Sequence, residues 1–158
     1  MIQSFGPVIH KECKSLILGS IPGVKSLQEE KYYAHPRNSF WRIIYTLFET
    51  PYEEVYEKRI AFLLSKQIAL WDVVKKCERE GSLDSAIQKE QVNDFQTLFK
   101  EYPQIKKVFF NGNKAYEIFR KKIGFDFEGI TFYKLPSTSP AYTLSFEKKL
   151  EAWRVCIH

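Results

Sequence analysis

An α/β three-layer sandwich, with a central four-stranded parallel sheet and helices on both faces, is the fold that the sequence predicts. Three observations carry it. Apolar runs of strand length alternate with helical patterns along the 158 residues, and this alternation implies parallel strands joined by right-handed crossovers. The first run, Ser15 to Gly19 (SLILG), is nearly continuous in apolar residues, as in a strand covered on both faces. No linker, low-complexity tract or internal repeat interrupts the chain. The expectation is one domain over 1–158, which at this length buries roughly 70% of its unfolded surface.

SLILG runs into GSIPG, a turn signal. Asn38 suits the N-cap of a helix carrying Phe40, Trp41, Ile44 and Leu47 at helical spacing, and a second helix is expected from about Glu54 to Ser65. Ile68 to Val74 is the next strand. Ser82 and Asp94 can each begin a helix, the latter carrying Phe95, Leu98 and Phe99 before Pro103 ends it. Lys107 to Phe110 (KVFF) forms a third strand, stopped by Asn111 and Gly112. Lys114 to Lys122 reads as an amphipathic helix closed by Gly124. Ile130 to Leu135 is the fourth strand, leading into PSTSP, and the last helix spans Ser145 to Ile157. Ligands of such sheets sit at the carboxyl ends of the strands. Three turns therefore matter most: 19–23, 111–113 and 136–140.

Composition narrows the function. With 24 basic and 19 acidic residues the net charge is +5, a balance that favours an anionic partner, nucleic acid among them. Aromatic residues make up 16% of the chain, enough to serve a surface as well as a core. Cys13, Cys77 and Cys156 are widely spaced and form no CxxC pair, which supports neither a disulfide framework nor a zinc or iron-sulfur site. A reducing cytoplasm fits them. No apolar run approaches the roughly 18 residues of a membrane span, and the N-terminus lacks the order of a signal peptide. The clusters Lys75, Lys76 and Arg79, Lys106 and Lys107, and Arg120 to Lys122 read mostly as solvated faces. His10 and His158 read as incidental.

Three stretches could carry chemistry. GSIPG (19–23) lacks the length and the Lys-Ser/Thr ending of a phosphate loop, but its glycines and proline form a rigid turn whose backbone can approach a flat ligand. KYYAHPRNSFW (31–41) combines tyrosines, a histidine, an arginine, an asparagine and further aromatics in a mix that folding alone rarely needs. Within it Trp41 reads as core. Phe40 fits either the core or a base-stacking face, Asn38 either a cap or a catalyst, His35 a turn residue and Arg37 a solvated charge. PSTSPA (136–141) places three hydroxyls between two prolines directly after a strand, where they can bond phosphate or simply cap the last helix.

Taken together, LILGSIPG, YYAHPRNSFW, ALWDVV, GSLDSAI, VFFNGNKA and LPSTSPA occur in this order at strand-end positions over nearly the full length. In these motifs the chain resembles the uracil-DNA glycosylase superfamily, and most closely its hypoxanthine-DNA glycosylase branch. The resemblance implies the uracil-DNA glycosylase-like form of the sandwich and base excision by a monofunctional enzyme, without metal or cofactor. It assigns catalysis to Asn38, leaving open whether the amide orients water or stabilises the departing base. It assigns the base pocket to Gly19, Ser20, Ile21, Pro22, Gly23, Tyr33, Phe40 and Asn111, with Phe40 matching the stacking aromatic. It assigns DNA contacts to His35, Arg37, Lys114, Ser137, Thr138, Ser139, Pro140 and Tyr142, with Pro140 or Tyr142 as the wedge because Ser139 stands where relatives carry an apolar residue.

Departures from the wider superfamily shift the expected substrate. Ile21 stands where relatives carry Asp or Asn, and Gly23 where uracil-specific relatives carry a tyrosine that narrows the pocket. Leu135 replaces the His or Asn that begins the last motif. The expected lesion is thus hypoxanthine in double-stranded DNA, with single-stranded DNA left open; a broader glycosylase for uracil, xanthine or mismatched thymine, or a lesion-binding module without chemistry, are the alternatives. A monomer free of membranes is expected.

Overall fold

Leu16, Ile17 and Leu18 are all fully buried, so the strand they form has no solvent face. The computed structural model describes residues 1–157, so His158 lies outside the described residues. In chain order the elements are β1 (Ile2–Gln3), β2 (Ser15–Gly19), α1 (Val24–Glu29), α2 (Phe40–Leu47), α3 (Tyr56–Ser65), β3 (Ile68–Asp72), β4 (Val74–Glu78), β5 (Gln88–Val92), α4 (Phe95–Glu101), β6 (Lys107–Asn111), α5 (Asn113–Lys122), β7 (Thr131–Leu135) and α6 (Phe146–Trp153).

Four strands form a parallel sheet in the order β3-β2-β6-β7, in register from Ser15 opposite Ile68 and Lys107 and from Lys107 opposite Thr131. Alternate residues of a strand point to opposite faces, and here both faces are dry. Leu16, Leu18, Val108 and Phe110 pack with Phe95, Leu98, Ile118 and Phe119 of α4 and α5. Ile17, Leu70, Phe109 and Leu135 pack with Ile43, Ile44, Leu63 and Trp153 of α2, α3 and α6. The expected helix-sheet-helix sandwich is the fold of this chain.

The chain departs from the sequence reading between Asp72 and Val92. The strand expected to run to Val74 leaves the parallel sheet after Asp72, where Val73 N–H donates to Gly19 O (2.8 Å) and Val74 N–H to Ser20 O (3.0 Å). Val74 instead opens β4 of a second, antiparallel sheet ordered β1-β4-β5. The helix expected at Ser82 does not form. After a turn at Gly81 (φ +67°), Asp84–Ala86 makes one 3₁₀ turn, and Ser82 Oγ accepts the Val24 N–H (2.8 Å), capping α1 from across the loop. At α2 the capping position is Ser39, not Asn38, although Asn38 Oδ1 accepts the Phe40 N–H (3.0 Å). The second expected helix begins at Tyr56 rather than Glu54. The last one closes as α6 at Trp153, followed by a 3₁₀ turn over Arg154–Ile157.

Candidate active site

A cleft of about 1030 Å³ opens at the carboxyl ends of the parallel strands. Its first wall is GSIPG. A Cβ on Gly19 would lie 2.6 Å from Asp72 Oδ1, so only glycine lets the backbone pass this carboxyl. Ser20 Oγ donates to Asp84 Oδ1 (2.6 Å). Arg79, expected on a solvated face, is instead folded in: its Nη2 donates to Pro22 O and its Nε to Gly81 O, both at 2.7 Å. The space beside Gly23 is not empty, since a Cβ there would meet Ser82 Oγ at 3.4 Å.

The 31–41 segment forms the second wall. Tyr32 anchors it: its hydroxyl donates to Gly6 O, its N–H donates to Tyr56 Oη, and its carbonyl accepts from Trp41 Nε1. Tyr33 then adopts a left-handed backbone (φ 55°), a conformation that bulky residues rarely adopt. Its ring stacks on Phe40 at 4.1 Å. Phe40 is 0% exposed and lies outside the cleft lining, so Tyr33 is the ring that faces the cavity. His35 Nδ1 accepts the Arg37 N–H and His35 O accepts the Asn38 N–H, a tight turn that brings Asn38 to the cleft and leaves Arg37 exposed outside it. Because Asn38 Oδ1 is held by the Phe40 N–H, its amide NH₂ is the donor left for a ligand.

The third wall joins β6 to PSTSP. Asn111 Nδ2 donates to Thr138 Oγ1 (3.0 Å) and Asn111 Oδ1 accepts the Thr138 N–H (2.9 Å), while Thr138 O accepts the Ser39 N–H. Thr138 is 1% exposed. Its hydroxyl therefore ties the loop together inside the protein, and most of the Asn111 amide is used for the same purpose. Gly112 (φ +99°) passes Ser137 so closely that a Cβ would lie 3.1 Å from the serine Cβ. Ser137 and Ser139 each accept an N–H two residues ahead, leaving their O–H groups to donate. Buried Lys149 donates to Ser139 O from beneath, and burial lowers its pKa. Tyr142 stands 48% exposed at the rim. Lys114 lines the cleft, as do Lys25 and Lys134, giving the mouth a basic edge.

Asp72 lies at the floor. Burial and the neighbouring Asp84 carboxylate push its carboxyl up to about 7, against the pull of Arg79. Burial, with Asp72 beside it, also raises the Tyr33 phenol, and burial lowers the Arg79 guanidinium. Asp72, Asp84, Ser82 and Arg79 were not expected at the site; the available signal was a lone acid in the apolar run ALWDVV. Of the residues assigned to the site, all but Phe40 and Arg37 line this one cleft. A smaller cavity of about 570 Å³, lined by Ser15, Ile68 and Lys107 at the opposite strand ends, shares none of them. Among the described residues no cluster of three metal-ligating side chains occurs, and no helix is long and apolar enough to cross a membrane.

Comparison with known proteins agrees with this geometry. The model of the uracil DNA glycosylase superfamily matches residues 7–156. A hypoxanthine DNA glycosylase of Methanosarcina barkeri is 36% identical over 154 residues, covering 96% of this chain and 94% of that one. A hypoxanthine DNA glycosylase of Methanosarcina acetivorans is 35% identical over the same shares. A solution NMR structure from Methanosarcina acetivorans, provisionally named a uracil DNA glycosylase, superposes with a TM-score of 0.83 at 34% identity, covering 98% of this chain and 95% of that one. With its parallel sheet, its strand-end cleft and a family match over almost its whole length, this chain belongs to the uracil DNA glycosylase superfamily.

Proposed function

We propose that the protein is a monofunctional DNA glycosylase that flips a deaminated nucleotide, deoxyinosine foremost, out of duplex DNA and hydrolyses its N-glycosidic bond. The observation that carries this reading is the convergence of Asn38, Tyr33, GSIPG and PSTSP on one strand-end cleft, in a chain whose relatives bear the name hypoxanthine DNA glycosylase. A base inside a duplex is out of reach, so the nucleotide must leave the stack. Ser137 and Ser139 grip its phosphates through their free O–H groups, with Lys114 at the mouth and Pro140 or Tyr142 filling the vacated stack. The base enters against Tyr33, whose ring is backed by Phe40.

Cleavage builds positive charge on the sugar and negative charge on the base, as in other glycoside hydrolyses. The electron pair of the C1′–N9 bond leaves with the purine, water adds its oxygen to C1′, and the proton that this water sheds ends on the released base. Asn38 offers N–H donors while its Oδ1 is held by Phe40, which favours stabilisation of the departing base over activation of water. Ile21 and Leu135 line the cleft with apolar surface, which weakens the grip on uracil. Lys114 is the one lysine within the matched motifs that lines the cleft, and it suits phosphate rather than attack on C1′, so the product is an abasic site in an unbroken strand, released by a monomer in a reducing cytoplasm where Cys13, Cys77 and Cys156 stay free thiols.

The test is base release from duplexes carrying deoxyinosine, xanthine, deoxyuridine, mismatched thymine or no lesion, with strand breaks scored before and after alkali. Release from deoxyinosine with breaks only after alkali is expected. Binding without release on every duplex contradicts an enzyme.

A further inference from the structure

Three buried side-chain atoms among the described residues have no hydrogen-bond partner: Tyr33 Oη, Asp72 Oδ2 and Arg79 Nη1. They share one neighbourhood. The position of a Cβ on Gly19 lies 2.6 Å from Asp72 Oδ1 and 3.2 Å from Tyr33 Oη, and Arg79, held behind Pro22, acts on Asp72 through its charge. Leaving such an atom unpaired inside the protein is costly. Asp72 and Tyr33 both line the cleft, and this pair marks a place where a ligand edge completes the bonding.

Resting on the glycosylase reading, we infer that Asp72, as a neutral carboxylic acid, reads the lactam edge of the flipped base, accepting from N1–H and donating to O6 as the base departs. Depth favours the base over water as its partner. The sugar stays at the mouth with its phosphates, so only the edge farthest from C1′ reaches a carboxyl buried at the floor. In hypoxanthine that edge is N1–H and C6=O6, and a carboxylic acid matches it with one acceptor and one donor. When C1′–N9 breaks, the electron pair passes to the purine and charge spreads onto O6. The O–H···O6 bond strengthens in the transition state and so accelerates the reaction rather than merely tightening binding.

The surroundings favour the neutral acid. Asp84 faces it from the 84–86 turn, bonded to Ser20, while Tyr32 and Tyr33 face it from the second wall with phenols raised by burial; only Arg79 favours its charge. With the carboxyl pushed up to about 7, the donor is present below neutrality and disappears above it.

The test is single-turnover hypoxanthine release from a deoxyinosine duplex at about pH 5.5 to 9, for wild type, Asp72→Asn and Asp72→Leu, with thermal melts alongside. The wild-type rate is expected to fall above neutral pH. Asp72→Leu is expected to lose about 100-fold, as for removal of one donor to a developing anion. Asp72→Asn, which keeps an acceptor and a donor, is expected to stay within about tenfold and to lose the alkaline decline. If Asp72→Leu does not fold, the Asp72→Asn profile alone decides. An active Asp72→Leu, or an inactive Asp72→Asn beside a wild-type rate that rises with pH, overturns the inference, the second pattern being that of a general base on water. A wild type that releases no base overturns the glycosylase reading itself.

Discussion

Tyr33 and Phe40 form one stack but carry different burdens. Phe40 is fully buried among Tyr33, Trp41 and Trp153, so Phe40→Ala opens a core cavity and should cost about 3–5 kcal/mol of stability, read by urea unfolding. Tyr33 faces the cleft. Tyr33→Ala should leave most of the stability intact and weaken binding to lesion DNA by about 1–3 kcal/mol, read by titration against a deoxyinosine duplex. Asp72 yields a second prediction at this scale. Its carboxyl is raised from 3.8 to about 7 in the folded protein, so folding favours the proton; stability is complete below 3.8 and falls as pH rises towards 7. Asp72→Asn cannot ionise. Its stability relative to wild type should rise between pH 5 and 8, out of a full effect on the order of 4 kcal/mol. A difference that stays flat with pH would mean that the carboxyl ionises without penalty.

Among the elements, those with an apolar pattern of their own were legible. SLILG and KVFF are strands because both faces are covered, and α5 and α6 follow their amphipathic spacing. The second sheet was not legible. Its strand β5 (QKEQV) is a polar edge strand, and it exists because β4 offers a ladder rather than because its own residues favour one. Ser82 misled for a related reason: a serine before a turn looks like a cap for the helix that follows, but it caps α1 across space. At the site, the three turns were legible from glycine, proline and hydroxyl content, whereas the internal use of Thr138 and Asn111 required the meeting of β6 with PSTSP. Gly19 belongs to this scale too. Its place against Asp72 predicts that Gly19→Ala, with only 2.6 Å available, displaces the turn or the carboxyl and lowers base release while the sheet still folds, as seen by comparing activity with circular dichroism.

For the molecule as a whole, charge is divided by depth. Lys25, Lys114 and Lys134 stand at the cleft with Asp72 at its floor, a division that suits phosphate at the mouth and a neutral base inside on the proposed function. Binding to duplex DNA should therefore weaken as salt rises, with log affinity falling linearly in log salt, and Lys114→Ala should flatten that slope by about one unit if it meets a phosphate. The modest excess of +5 made a nucleic-acid partner only one option in the sequence; the ordered motifs and the cleft that gathers them give it substance. The proposed action of Asn38 on deoxyinosine is tested by single-turnover base release from deoxyinosine and deoxyuridine duplexes with wild type and folded Asn38→Ala. Faster release from deoxyinosine, reduced by about 100-fold or more in the variant, is the expected result. Faster release from deoxyuridine, or an unchanged rate in the variant, would contradict it.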